Sequence, residues 1–322
     1  MFIFKYVTSQ HPIIRTCIKL SGTRLFHTTN VCPSPISLAY DHYLPSGSIN
    51  SDHLHHHHPI IILHGLFGSR QNWKTLAKRI SQKSDREVFV LDLRNHGDSG
   101  VTPGSTNYLD YASDVEDFIK NHQLKNVNLI GHSMGGKVAM SLALGSDNKS
   151  LINKLVIVDI SPLKGRISEE FQTYLKGMKE INSKEIKNRK EADQIMSKYS
   201  NDVEVRQFLL KNLKKIQEPN NLNQDSYKIN LPLEILTEQI STNQIGDFPF
   251  DSNQLNHPIF SNPTLFIKGK TSPYINHHST IPIKKFFPNH QLVVFDAGHW
   301  VQAEKPVEFI DTITKFFNSE MD

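Results

Sequence analysis

Cysteine is nearly absent from this chain. It carries two, Cys17 and Cys32, both near its start. A disulfide framework and cysteine-ligated metal sites are therefore excluded from the bulk of the sequence. Long apolar runs are missing too. No stretch approaches the roughly 18 residues that read as a membrane-spanning helix. Residues 1–30 lack acidic side chains altogether and hold Lys5, Arg15, Lys19 and Arg24. Those four account for the whole net charge of +4: of 36 Lys and Arg, 32 remain to balance 32 Asp and Glu. The remainder is neutral, so a basic partner-binding surface is not indicated and nucleic acid is not an expected partner. Finally, the stretch from Lys270 to Ile281 contains no Asp or Glu.

The basic, acid-free leader with interspersed Ser and Thr has the composition of a mitochondrial presequence. Arg24-Leu25-Phe26-His27-Thr28-Thr29 is similar to a matrix-processing site, which places cleavage near residues 25–33 and the protein in the mitochondrial matrix. The full chain of 322 residues, with 38% hydrophobic and 21% charged content, suits one large globular α/β domain, or such a core with an insertion.

Strand and helix patterns alternate along that core. A first strand is expected over residues 36–44. A loop over 45–58 ends in His55-His56-His57-His58; with His53 this run could bind a metal adventitiously, but in its Ser/Gly/Asn-rich setting it reads as a solvated loop. Pro59-Ile60-Ile61-Ile62-Leu63 is a doubly buried strand of the parallel-sheet kind. A helix over Trp73–Ser81, a strand over 87–91 and an amphipathic helix over 108–122 follow. Strands are also expected at 126–130 and 263–269, a strand with its exit at 155–162 and a last strand with its exit loop at 291–300, with a closing helix over 307–317. Between Leu163 and His257 the texture changes to Lys, Glu, Asn and Gln, with helical patterns near 168–181, 184–199 and 203–216 and a break at Pro219-Asn220-Asn221. The division expected is a leader over 1–30, a core of 31–162 with 258–322, and a helical cap over 163–257.

Gly131-His132-Ser133-Met134-Gly135 fits the G-x-S-x-G pattern, in which a serine sits on a sharp turn from strand to helix. A strand before it and a helix after it supply the context the pattern needs. Ser133 is the candidate nucleophile. His299, in Ala297-Gly298-His299 after the last strand, is the candidate general base. His96, in the polar turn Asp92–Ser99, reads instead as a brace for neighbouring loops. A third group must orient His299. The loop after the 263–269 strand has no carboxylate to offer. Asp296 lies three residues before His299 on the same strand and is poorly placed to face it. Asp159 ends the strand that follows the serine unit, on the sheet edge where the site must be, so it is preferred over Asp296 or no acid. The backbone N–H groups of Leu66 and Met134 are the expected donors to a developing oxyanion. Such chemistry requires no metal and no cofactor.

The chain order Ser, Asp, His with strand–helix alternation is that of the α/β-hydrolases. The segments His64-Gly65-Leu66-Phe67-Gly68-Ser69, Asn72-Trp73, Asp92-Leu93-Arg94-Asn95-His96-Gly97, Gly131–Gly136, Val158-Asp159-Ile160-Ser161-Pro162 and Gly298-His299-Trp300 resemble one subgroup of that superfamily. It contains bacterial and mitochondrial esterases and the fungal mitochondrial ethanol O-acetyltransferases. The resemblance spans roughly residues 36–317; the His-rich loop and the long polar cap depart from it. It implies an α/β-hydrolase fold, a mostly parallel sheet flanked by helices with an inserted helical cap. It also implies Asp159 as the acid, and acetyl transfer from acetyl-CoA to ethanol, with thioesterase and esterase side activities. Acetyl-CoA is then a substrate. Small-molecule acyl donors and short alcohols are the expected partners. The rival readings are a mitochondrial carboxylesterase or thioesterase, and a non-catalytic assembly factor of the matrix.

Overall fold

The computed structural model describes residues 35–46, 58–104, 106–146, 150–217 and 225–319. The leader, His53–His57 and the Pro219-Asn220-Asn221 break lie outside them. Seven strands form the main sheet: β1 (Tyr40–Tyr43), β2 (Ile60–Leu63), β3 (Val88–Leu91), β4 (Val127–His132), β5 (Ile152–Val158), β8 (Thr264–Gly269) and β9 (His290–Phe295), in the order β1-β3-β2-β4-β5-β8-β9. β1 runs antiparallel to β3 and every other pairing is parallel.

Strands β2 and β3 are apolar and buried throughout because both faces are covered. Ile61 and Leu63 point to one face, where α2 (Tyr108–Asn121) and α3 (Met134–Gly145) supply Val115, Phe118, Val138 and Leu142. Ile60 and Ile62 point to the other, against Trp73 and Ile80 of α1 (Arg70–Ser84) and against Phe309 and Ile313 of the last helix, Pro306–Asn318. The helix starts are written in the sequence. The Asn107 side chain accepts the amides of Leu109 and Asp110, and Asp110 reciprocates to the Asn107 amide, a reciprocal cap.

Between β5 and β8 the chain leaves this sheet. It forms α4 (Glu169–Asn182), α5 (Arg189–Met196), α6 (Val203–Leu209), a two-stranded hairpin of β6 (Leu213–Gln217) and β7 (Asp225–Ile229), and α7 (Leu233–Ser241). The helix expected over 203–216 is therefore corrected. It ends at Leu209, and Leu213 instead pairs with Ile229 across the hairpin. The Asn212 side chain donates to the Leu209 carbonyl at 3.0 Å and to the Phe67 carbonyl of the core at 2.7 Å, which fixes the break.

The sheet order places the functional edge. From β2 the chain goes outward to β3, then returns past β2 to β4 and continues toward β9. The strand order thus reverses between β2 and β4, and ligands of open α/β sheets bind at the carboxyl ends of strands at such a point. Leu63 and Gly131 pair there. His64–Gly68 and Ser133 follow directly.

Candidate active site

Ser133 occupies the single residue between β4 and α3. Its backbone lies at φ 53, ψ −118, a conformation that costs an L-residue about 1–3 kcal/mol and persists only where surrounding contacts enforce it. The glycines around it allow those contacts. A Cβ on Gly131 would lie 2.3 Å from the Gly135 carbonyl oxygen, and one on Gly135 would lie 2.4 Å from the oxygen of His64. The Ser133 amide donates to the Val158 carbonyl at 3.0 Å, tying the turn to the neighbouring strand.

The structure brings Ser133, His299 and Asp159 into one hydrogen-bonded chain. His299 Nε2 lies 3.0 Å from Ser133 Oγ, and His299 Nδ1 lies 2.7 Å from Asp159 Oδ2. With the Nδ1 proton directed at the carboxylate, Nε2 is free to accept from the serine hydroxyl. Asp159 is fully buried, and its other lone pairs are occupied: the Gly269 amide donates to Oδ1 at 2.9 Å and the Ser272 hydroxyl donates to Oδ2. Sequence reasoning found Asp159 but missed Ser272. The loop after β8 has no carboxylate; what it supplies is a hydroxyl that holds the carboxylate of the adjacent strand. Tyr274 from the same loop packs its ring 4.3 Å from the His299 ring. Asp296 is not brought to this group. It lies at the surface beside Lys270, 3.2 Å from its ammonium.

Three further histidines brace the surrounding turns. His64 Nδ1 donates to the Gly65 carbonyl at 2.8 Å, and Nε2 accepts from the Leu93 amide at 3.0 Å. His96 Nε2 accepts from the Phe67 amide at 3.2 Å, and Nδ1 donates to the Arg94 carbonyl at 3.0 Å. His132 Nε2 donates to the His299 carbonyl at 2.9 Å. Burial drives their pKa values down, to about 4 for His64 and about 3 for His96 and His132. All three are neutral near pH 7 and act as struts. His96 holds the turn after β2 and does not reach Ser133's partner set. The Asp92–Ser99 turn is itself braced: Asp92 accepts the amides of Arg70 at 2.7 Å and Asp98 at 2.9 Å, and pairs with the Arg70 guanidinium.

In front of Ser133 lies a cavity of about 370 Å³, roofed by residues 163–168, Phe171 and Ile245-Gly246. Leu66 and Met134 line it beside the serine. Neither of their backbone amides donates to another described residue, so both are available to a bound oxygen.

A model of the α/β hydrolase fold matches residues 58–306. The chain belongs to the α/β-hydrolase family. Its relatives within that family carry several activities in their names. A Schizosaccharomyces pombe abhydrolase domain-containing protein is 40% identical, the match covering 88% of this chain and 98% of the other. A probable alcohol acetyltransferase of Saccharomyces cerevisiae is 37% identical, over 89% and 85% of the two chains. An sn-1-specific diacylglycerol lipase of Danio rerio is 37% identical, over 88% and 83%. Among solved structures, a marine microorganism esterase superposes with a TM-score of 0.74 at 31% identity, covering 87% of this chain and 99% of that one. This α/β hydrolase is therefore an enzyme of the serine hydrolase and acyltransferase kind, with acetyltransferase or hydrolase activity.

Proposed function

We propose that this α/β hydrolase is an alcohol O-acetyltransferase that makes ethyl acetate from acetyl-CoA and ethanol through an acetyl group on Ser133. The observation that carries the reading is the Ser133–His299–Asp159 chain opening on a cavity of about 370 Å³. The likeness to a protein named alcohol acetyltransferase supports the choice of reaction. In the first half, His299 Nε2 takes the Ser133 proton as Oγ attacks the thioester carbonyl. Asp159 holds the imidazole in the accepting tautomer and stabilises the imidazolium. The Leu66 and Met134 amides receive the oxyanion, each worth about 3 kcal/mol of barrier. The C–S bond breaks, and the CoA sulfur leaves with the proton from His299. In the second half, His299 takes the hydroxyl proton of ethanol as its oxygen attacks the acetyl carbonyl. The ester leaves and the proton returns to Ser133. Water at this step gives thioesterase activity, and an ester donor gives esterase activity. A hydrolase without transferase role is the second reading, favoured by the relatives named lipase and esterase.

The test is one vial holding the full chain, acetyl-CoA and increasing ethanol, assayed for ethyl acetate and acetate beside Ser133→Ala. Transfer predicts ester rising and acetate falling as ethanol increases, with neither product formed by the variant. Acetate alone at every ethanol concentration would support the hydrolase reading instead.

We also propose the mitochondrial matrix as the site of action, on the basic leader of residues 1–30. Residues 1–40 fused to a fluorescent reporter should carry it into mitochondria; a diffuse cytosolic signal would overturn this.

A further inference from the structure

The cavity in front of Ser133 carries charge of one sign. The charged residues that line it are Lys137, Lys164 and Arg166, with no aspartate or glutamate among the described lining. Glu169 and Glu170 stand nearby in the first turn of α4 but are not part of that lining. Two of the three cations are committed elsewhere. Lys137 donates to the carbonyls of Gly246 at 2.7 Å and Asp247 at 2.8 Å. The Lys164 ammonium lies 3.0 Å from Asp247 Oδ1. Arg166 has no ion pair or hydrogen bond to any described residue, and its side chain is exposed at the rim.

The backbone beneath Arg166 is held from both sides. The Gly165 amide donates to the Gly246 carbonyl at 2.9 Å, and the Asn243 side chain donates to the Gly165 carbonyl at 3.1 Å. A Cβ on Gly246 would lie 2.2 Å from that Gly165 oxygen, so the two segments touch closely. A guanidinium on such a platform offers a planar fork of donors that matches a phosphate. Uncharged donors, such as a simple acetate ester or a diacylglycerol, present no anion to it. A CoA thioester carries phosphates on a pantetheine arm, which places them out at the rim while the thioester sits at the serine.

We propose that Arg166, the unpaired cation on the rim of the Ser133 cavity, binds a phosphate of a CoA thioester and selects it over uncharged acyl donors. This rests on the acetyl-CoA reading above. The test separates the two. The full chain hydrolyses p-nitrophenyl acetate in the presence of CoA or of pantetheine, which lacks the phosphates, and the two inhibition constants are compared. The wild type should bind CoA more tightly, and Arg166→Ala should reduce the CoA-to-pantetheine preference about tenfold, the size of one charge-assisted contact. Arg166→Lys should restore part of it. Because the readout is a ratio, a general loss of activity cancels. Equal inhibition by both compounds in the wild type, or an unchanged preference in Arg166→Ala, overturns the assignment. Turnover of acetyl-CoA is followed in parallel. A phosphate preference without acetyl-CoA turnover keeps the Arg166 site and removes the transferase reading. Turnover that is indifferent to Arg166 does the reverse.

Discussion

A carboxylate orients an imidazole only if it cannot turn away, and Asp159 is held on every side. Its oxygens take the Gly269 amide, the Ser272 hydroxyl and the His299 imidazole, with no exposure to water. Replacing it with asparagine keeps the shape and swaps an acceptor for a donor, which would favour the wrong tautomer of His299. Asp159→Asn should therefore lower kcat by about 10⁴, by analogy with the tautomer effect in serine proteases. Asp296→Asn should change it less than about threefold, since surface pairs contribute little. Steady-state kinetics on p-nitrophenyl acetate, with melting curves to check folding, decides the matter; the opposite ranking would contradict the assignment. At this scale, Ser133 and His299 were legible because their glycine-rich settings are local in sequence. Asp159 was legible only in combination with the missing acid over 270–281. Ser272 was not. It is one serine in a polar loop, and its partner lies 113 positions away, joined to it only because β5 and β8 are neighbours in the sheet.

Among elements, the turn from β4 to α3 makes the strictest demand. The backbone of α3 passes so close to β2 that a methyl at Gly135 would overlap the carbonyls of His64 and Leu63, at 2.4 and 2.5 Å. Neither can yield without displacing the turn that carries Leu66. Gly135→Ala should cost more than about 3 kcal/mol, in the tail reserved for core clashes. Gly145→Ala, at the far end of the same helix, meets only side-chain atoms at ordinary or slightly tight contact, a ring atom of Phe250 at 3.4 Å and Leu109 Cδ2 at 3.6 Å. It should be neutral or stabilising by up to about 1 kcal/mol, as alanine is the better helix former. Urea unfolding of the two variants measures both, and equal effects would contradict the account. The parallel core was legible because doubly buried strands read as unbroken apolar runs. The β6–β7 hairpin was not. Leu209, Leu210, Leu213 and Ile216 have helical spacing, and only the pairing of Leu213 with Ile229 and the Asn212 contacts to Phe67 and Leu209 show that the helix has ended.

The whole molecule carries a buried acid sensitivity. His64, His96 and His132 are held neutral in the fold, with pKa values near 4, 3 and 3, while the unfolded chain protonates them near the ordinary value of about 6.5. The sign follows: from pH 6.5 down to about 4 the unfolded state binds more protons, so stability falls with acidity, by up to about 1.4 kcal/mol per pH unit for each histidine. The urea midpoint should be level above pH 6.5 and drop steeply below it, and His132→Gln should make that drop shallower by about a third. A midpoint unchanged between pH 7 and 5 would contradict this. Those struts position the turns that surround Ser133, the residue proposed above to carry the acetyl group between donor and alcohol. Rapid mixing of the full chain with acetyl-CoA, quenching and peptide mass analysis test that proposal most directly. One acetyl group is expected on the peptide containing Ser133, disappearing faster as ethanol is added while ethyl acetate forms at the same rate. An unmodified Ser133 during turnover, or an acetyl group whose decay ignores ethanol, would contradict it.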